Sequence, residues 1–332
     1  IRDNGIMNVL LSSDDDYAPL LGVTVYSFLE NNYNEFDDIN MYILDGGISN
    51  VNKKKIERIC NDFNVNKLDF IKYDNIDEIL GIDIKATRPL STYARLFAPS
   101  LLDKSIDKLL YIDADAIVTG SFKELYDLDI SDYYCAAVRD ACPDYNNLFL
   151  NLPPADDHFN AGVLLINLKK WRDDDLERKF LDLIIENDGE VHHNDQGIIN
   201  TVCRGNILKV HPKFNILSPF FEVSYSDVLR WNNLDEYYSK EVVKEAVDKP
   251  VFIHLTQFVY GRPWFTNAGN HPLRELFDSY VKKTPFSDED IYIDDNRHLQ
   301  GKFLSFSYKY LPYSVVCNMF SVYRHFLVRF KK

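Results

Sequence analysis

Cysteine is scarce and scattered in this 332-residue chain. Cys60, Cys135, Cys142, Cys203 and Cys317 are odd in number and never form a Cys-x-x-Cys pair. That spacing excludes a disulfide framework and a structural zinc site, and it points to a reducing compartment. No stretch of ~18 uncharged apolar residues occurs, so no membrane-spanning helix is predicted. The opening residues Ile1 to Gly5 are polar and carry no secretory-leader pattern. Met7 is a candidate start, and the expected location is cytoplasmic. Neither the Gly-x-Gly-x-x-Gly fingerprint nor a P-loop is present, so the two commonest phosphate-cradling loops are excluded. Basic residues are in deficit, with 37 Lys and Arg against 51 Asp and Glu and a formal charge of −14. Nucleic-acid backbone, which calls for clustered cations, is therefore not an expected partner.

What basic charge there is collects at one end. Residues 301–332 carry Lys302, Lys309, Arg324, Arg329, Lys331 and Lys332, no acidic residue, and many aromatic rings. Residues Tyr310 to Tyr323 are uncharged but too short to span a bilayer. Interleaved aromatics and cations suit an anionic lipid interface; a helix packed on the core or on a partner is the plainer alternative. Low glycine with abundant Asn, Asp, Lys and Ile hints at an AT-rich bacterial genome.

Short apolar runs alternate with helical patterns through the first 130 residues. Strands are expected at Asn8 to Ser12, Asn40 to Leu44, Lys67 to Tyr73 and Leu109 to Ile112. Helices are expected from Tyr17 to Glu30 and from a Ser49 cap to Phe63. Further on, Ala161 to Ile166 and Val251 to His254 read as strands. Leu168 to Asn187 reads as one long amphipathic helix, and Asp195 to Cys203 as another. The acidic stretch 285–297 reads as a linker. The pattern predicts an α/β protein with a mostly parallel sheet covered by helices on both faces. In such sheets ligands bind beyond the carboxyl ends of the strands.

The sharpest chemical signal sits at such an end. Leu109-Leu110-Tyr111-Ile112 runs into Asp113-Ala114-Asp115. Carboxylates at i and i+2 of an extended chain point the same way and can share a hard dication, Mg²⁺ or Mn²⁺. A solvated strand end is the alternative. Val251 to His254 repeats the pattern with an imidazole last, which favours Mn²⁺ if the three meet; a structural histidine is the alternative. Arg262, beside Pro263 and Trp264, can clamp a diphosphate. Asp14, Asp15, Asp16 and Tyr17 follow the first strand, where a pyrimidine could stack on Tyr17; the same acids also suit a helix N-terminus. Arg95 is expected on a helix, Asn160 just before a strand, and Asp195 and Gln196 at a helix start, where capping or surface polarity explains each one singly. The His192-His193 pair and Asp173 to Asp175 read as solvated surface.

Taken in order, these pieces resemble glycosyltransferase family eight, which includes bacterial lipopolysaccharide galactosyltransferases and glycogenin. They are Ser13 to Tyr17, Thr92 to Leu96, Tyr111 to Asp115, Phe159 to Leu168, Asn194 to Gln196 and His254 to Trp264. The resemblance covers residues 7–265 and is carried most specifically by Phe159 to Leu168. It implies a GT-A fold: a Rossmann-like nucleotide-sugar half fused to an acceptor-binding half. On that basis residues 1–270 form the glycosyltransferase domain and 271–332 a helical C-terminal extension.

It also implies a retaining hexosyltransferase that uses UDP-galactose or UDP-glucose, with Mn²⁺ (or Mg²⁺), to modify a glycan, glycolipid or glycoprotein. Asp113, Asp115 and His254 would ligate the metal. Asp14, Asp16 and Tyr17 would hold uridine. Arg95, Asn160, Asp195 and Gln196 would hold the donor sugar, with Asp140 near sugar or acceptor and Arg262 near the diphosphate. Two departures stand out: the run from His254 to Trp264 is two residues longer than the frequent pattern, with Arg262 in place of lysine, and Asp16 stands where asparagine is frequent. With Gln196 as the nearest matched group rather than a strong nucleophile, same-face attack is expected over a double displacement through Asp195 or Asp140. The tail would attach the enzyme peripherally to the inner face of the plasma membrane. Two rivals remain at this level: a metal-dependent nucleotidyltransferase or phosphodiesterase, and a non-catalytic protein that binds UDP-sugar or glycan.

Overall fold

The computed structural model describes residues 5–73, 93–143, 145–295, 297, 299–311, 315, 316 and 318. The opening residues 1–4, Thr92, Cys317 and the basic end from Arg324 to Lys332 fall outside that set.

Apolar runs with little polar alternation become the central strands, buried on both faces, while the edge strands β3 and β8 are only partly covered. Seven strands form one sheet: β1 (Ile6–Ser13), β2 (Asp38–Asp45), β3 (Lys67–Lys72), β4 (Lys108–Ile112), β6 (Cys135–Arg139), β7 (Phe159–Asn167) and β8 (Ile207–Lys209), in the order β3-β2-β1-β4-β7-β6-β8. The pairs β1/β2, β2/β3, β1/β4 and β6/β8 are parallel, and β7 runs antiparallel to both β4 and β6. The α/β class and mostly parallel sheet expected from the sequence are thus present. From β1 the chain moves outward through β2 and β3, then returns to place β4 on the other side of β1. That reversal is a topological switch point, the usual ligand crevice of an open α/β sheet.

A second sheet was not foreseen. β5 (Ala116–Val118), β9 (Ile216–Leu217) and β10 (Phe252–His254) form it, with β10 in the middle. β10 is the strand expected at Val251 to His254, but β5 and β9 have three and two residues, too short for periodicity to register. This small sheet sets the site, because β10 pairs antiparallel with β5 and places His254 opposite Ala116, one residue from Asp115.

Helix α1 (Ala18–Asn32) is buried nearly all round, with Pro19 in its first turn. Its few polar side chains act as surrogate strand partners for the segment after the acid pair. Thr24 Oγ1 lies 2.7 and 2.8 Å from the carbonyls of Ala114 and Ala116 and accepts the Ala116 N–H at 3.2 Å. Ser27 Oγ accepts the N–H of Val118 at 3.0 Å, and Asn32 Oδ1 that of Phe122 at 2.8 Å. Helix α2 (Asn50–Asp62) starts where expected, its Ser49 side chain accepting the Asn52 N–H.

Two expectations give way. The single helix over Leu168 to Asn187 is two, Leu168–Asp173 and Leu176–Glu186, broken where Asp175 takes φ 51°. Short acidic side chains tolerate that left-handed geometry, which a continuous helix cannot contain. The acidic stretch 285–297 is not a free linker. Phe286 and Ile291 are buried, Asp290 pairs with Lys55 at 2.8 Å, and Ile293 bridges to Phe265. Gly22 makes room for this on α1, since a Cβ there would lie 2.2 Å from the Phe286 ring. Polar residues mask these anchors in the sequence.

Candidate active site

The ends of β1 and β4 meet at the switch point, and β7 and β10 close in from either side. A cavity of ≈ 380 Å³ opens there, with Asp14, Tyr17, Arg95, Tyr111, Asp113 and Asp115 in its wall. Asp113 is fixed by its own N–H, which donates to the Gly162 carbonyl at 2.9 Å, and Asp115 by its carbonyl, which accepts the Leu255 N–H at 3.0 Å.

Each carboxylate divides its oxygens between an arginine and the imidazole. Asp113 Oδ1 faces Arg95 Nη1 at 2.9 Å, and Asp115 Oδ2 faces Arg262 Nη1 at 2.6 Å. Asp113 Oδ2 and Asp115 Oδ1 instead turn to His254 Nε2, at 3.7 and 3.2 Å. Ligand atoms of the three residues lie within 4.8 Å of one another, the one such group of three among the described residues. Two carboxylates and an imidazole form a donor set suited to a divalent ion. Gly162 supports the fit, because a Cβ there would stand 2.6 Å from His254 Nδ1 and Cε1. The imidazole occupies the space a larger residue would take.

The charges respond to this packing. Burial alone would raise the Asp115 pKa, but His254 and Arg262 overcome it and hold the carboxyl well below its usual range. Burial opposes charge on His254 as well, and Asp115 reverses that, leaving the imidazole raised.

Arg95 sits on the short turn Ala94–Phe97, over the Tyr111 ring at 4.0 Å. Its Nε pairs with Asp195 at 2.9 Å, and Nη1 also donates to the Ala161 carbonyl at 3.1 Å. Burial would discharge this guanidinium, but Asp113 and Asp195 keep it firmly protonated. Burial raises the pKa of Asp195, although Arg95 pulls the other way. Tyr111, to which the sequence reading assigns no role of its own, donates its hydroxyl to Asp113 Oδ1 at 2.7 Å. Burial pushes that phenol far above its ordinary pKa. Its position two residues before Asp113, on the same side of the strand, is the signal that could have found it.

A second set adjoins the first. Asp140 Oδ2 accepts from Gln196 Nε2 at 2.8 Å and from Asn160 Nδ2 at 3.2 Å. Gln196 Oε1 accepts the Ala161 N–H at 3.1 Å. Asn160 Oδ1 accepts from the Gly162 N–H at 2.9 Å and from Asn215 Nδ2 at 2.7 Å, a partner that no motif announced. Arg95, Asn160, Asp195, Gln196 and Asp140 therefore form one continuous network with the acid pair.

The remaining expected residues are spread more widely. Asp14 caps the turn, accepting the Tyr17 N–H at 3.0 Å, and faces the same cavity as Asp113. Asp16 lies in the wall of a neighbouring cavity of ≈ 480 Å³ with Trp264 and Asn52, and Tyr17 borders both. Arg262 is held between Asp115 and the Leu255 carbonyl. His192 and His193 are half-buried among other rings rather than bare surface.

The model of glycosyl transferase family 8 matches residues 8–268. General stress protein A of Bacillus subtilis is 29% identical over 293 residues, which cover 86% of this chain and 97% of the relative. Lipopolysaccharide 1,2-glucosyltransferase of Escherichia coli is 27% identical over 293 residues, covering 87% of this chain and 81% of that one. Among solved structures, the galactosyltransferase LgtC in complex with donor and acceptor sugar analogues superposes with a TM-score of 0.65 at 24% identity, covering 86% of this chain and 98% of that chain. The GT-A architecture is shared.

Proposed function

This chain belongs to glycosyltransferase family 8, and we propose that it transfers galactose or glucose from a UDP-sugar to a saccharide acceptor with retention of anomeric configuration. The observation that carries this reading is the convergence of Asp113 Oδ2 and Asp115 Oδ1 on His254 Nε2, with both acids in the wall of the switch-point cavity. These three would hold Mn²⁺, with Mg²⁺ as substitute. When bound, such an ion supplies Lewis-acid neutralisation of charge on a departing diphosphate.

The chain's own residues do the rest. Asp14 and Tyr17 border the cavity where uridine would sit, with Asp16 beside it. Tyr111 and Arg95 brace Asp113, and Arg95 also braces Asp195, so that the donor sugar meets a fixed wall. Arg262 brings a cation to the diphosphate end. As the anomeric C–O bond breaks, its electron pair leaves with the UDP oxygen. The acceptor hydroxyl bonds to the same face of that carbon and passes its proton to the departing phosphate oxygen. Gln196, with Oε1 directed by the Ala161 N–H and Nε2 by Asp140, supports the cation-like carbon.

Asp140 and Asp195 are each already paired within the network, which favours same-face attack over a covalent sugar on either. A two-metal nucleotidyltransferase would want a second ligand cluster nearby; among the described residues Asp113, Asp115 and His254 make the single such group. The lipopolysaccharide glucosyltransferase relative and the galactosyltransferase neighbour support a hexose donor and a glycan acceptor. The basic aromatic tail would bring the enzyme to an anionic membrane surface. No helix among the described residues is long and apolar enough to cross a membrane.

The test is a panel of UDP-sugars incubated with the protein and Mn²⁺, reading UDP release. Slow hydrolysis of UDP-galactose or UDP-glucose is expected, abolished by chelation and by Asp115→Asn. Absence of UDP release from every donor, or release indifferent to metal, would refute the reading.

A further inference from the structure

The loop that carries Arg262 is held from outside the cleft. Arg297 ends the stretch 285–297 that wraps the core, and its side chain is only 5% exposed, as is that of its partner Asp295. Arg297 Nε and Nη2 grip the two Asp295 oxygens at 2.9 and 2.7 Å. Nη1 serves other partners. It donates to the Phe258 and Val259 carbonyls at 3.4 and 3.3 Å, and to Ser305 Oγ at 2.7 Å. Ser305, on the helix Leu299–Tyr310, donates in turn to the same Val259 carbonyl.

This contact reaches the residue next to Arg262. Gly261 takes φ 83°, and a Cβ on it would stand 3.3 Å from Arg297 Cζ and 2.8 Å from the Phe265 ring. Glycine alone suits that angle and that space together. Its N–H donates to the Phe258 carbonyl at 3.3 Å, closing a tight turn. On the other side of Arg262 the same C-terminal stretch takes hold again. Ile293 donates its N–H to the Trp264 carbonyl at 3.1 Å, and its carbonyl accepts the Thr266 N–H at 2.9 Å. Asp295 also accepts from Asn267 Nδ2 at 3.3 Å. Arg262 thus leaves a strip of backbone pinned before and after it, and meets Asp115 with its guanidinium.

We propose that Arg297 is a positioning residue for the donor: with Asp295 behind it, it fixes residues 258–262 and so presents the Arg262 guanidinium, already ordered, to the diphosphate. The physical need comes from the length of irregular chain. Between β10 and the helix Arg274–Val281 the backbone makes isolated bridges but no helix or longer strand. A segment of that length has much backbone freedom to lose when it closes on a ligand. Fixing it beforehand takes that loss out of the binding step. A planar guanidinium suits the task, because its fork engages a carboxylate on one edge and leaves donors for loop carbonyls. Arg297 acts through Arg262 and makes the C-terminal extension part of the donor site. The inference rests on Arg262 meeting the diphosphate, as in the function proposed above.

The experiment titrates the full chain, with Mn²⁺ present, with UDP by calorimetry and with uridine by ligand-observed NMR. Wild type, Asp295→Asn/Arg297→Met, Arg262→Ala and the three substitutions together are compared. The paired change removes both charges, so that neither is left buried alone. UDP affinity should fall about tenfold in the paired variant, the scale of losing a hydrogen bond to a charged group, while uridine, which has no phosphate, binds as in wild type. The triple variant should bind UDP no more weakly than Arg262→Ala, because the paired change acts only through Arg262. Unaltered UDP affinity in the paired variant, a parallel loss for UDP and uridine, or additive losses in the triple variant would each overturn the positioning role. If the melting curve shows the paired variant unfolded, Ser305→Ala decides on the same readouts: a smaller loss for UDP and none for uridine is expected, and unchanged UDP affinity overturns the role. Failure of the wild type to bind UDP counts against the donor reading and the inference with it, whereas UDP binding that the paired variant leaves unchanged removes Arg297 alone.

Discussion

Arg262 Nη1 stands 2.6 Å from Asp115 Oδ2, so the cation expected at the diphosphate is anchored on a metal-ligand candidate. The same guanidinium donates to the Leu255 carbonyl and lies 5.0 Å from the Trp264 ring. It thus ties the His254 to Trp264 loop back onto the acid pair. With two extra residues in that loop, Arg262 still reaches Asp115.

Arg262→Ala is expected to lower kcat/KM for UDP-sugar hydrolysis about 10²-fold, the scale for losing one electrostatic contact to a developing oxyanion. Arg262→Lys should recover only part, because lysine restores charge but not the planar fork. Steady-state kinetics at saturating Mn²⁺ reads both. Unchanged kinetics in the alanine variant would remove Arg262 from the diphosphate.

Gly162→Ala tests whether the imidazole must sit where it does. The added Cβ would fall 2.6 Å from His254 and 2.9 Å from Asn160 Oδ1. Overpacking of this kind costs about 1–3 kcal/mol, and a displaced ligand should weaken Mn²⁺ binding roughly 10–100-fold. Calorimetric Mn²⁺ titration together with a melting curve measures the two effects. Wild-type Mn²⁺ affinity in this variant would argue against His254 as a ligand.

Acid stability should depend on Asp45 at the end of β2. Its side chain is 1% exposed, 2.5 Å from Lys53 Nζ, and accepts the N–H groups of Gly47 and Ile48 at 3.0 and 2.7 Å. Burial raises its pKa, and Lys53 with the two amides more than reverses that, leaving it below the ordinary value. A carboxyl depressed in the folded state contributes stability above its unfolded pKa of about 3.9 and loses it as pH falls through the folded value. Lys53→Met should therefore move the onset of acid unfolding to higher pH. Denaturant titrations from about pH 7 down to pH 3 compare the two proteins across that window; coincident curves would unlink Asp45 from acid unfolding.

The C-terminal end offers a separate test. Phe303, Phe306 and Tyr310 on the helix Leu299–Tyr310 are exposed, and each nearby cation can add about 1 kcal/mol at an anionic surface. Vesicles containing anionic lipid are expected to retain the full chain in sedimentation and to release a form ending near Gly301. Equal retention of both forms would end the membrane proposal.

Much of this site was legible because chemistry sits where apolar runs stop. Ile112 to Asp113 and Ile253 to His254 each mark a buried strand ending in a ligand-type residue, a signal local to a few positions. The pairing of His254 with Ala116 through a separate small sheet was not local, nor was the capture of Arg262 by Asp115, which joins residues 147 apart. The break at Asp175 depended on one backbone angle, and the seating of Phe286 depended on a glycine far away on α1. His192 and His193 read as surface because the other rings against them, Phe149 and His158, come from elements far along the chain. Sequence patterns report what a residue is next to along the chain; these features depend on what it meets across space.

Helix α1 touches both ends of this story. Gly22 receives Phe286 from the C-terminal segment, and two residues on, Thr24 grips the carbonyls beside the acid pair. A splint one turn long thus joins the outer wrapping of the molecule to its ion-binding candidates. Prying the wrapping loose would register at Asp115 before it disturbed the large sheet, making donor turnover a more sensitive gauge of a detached C-terminus than any melting curve.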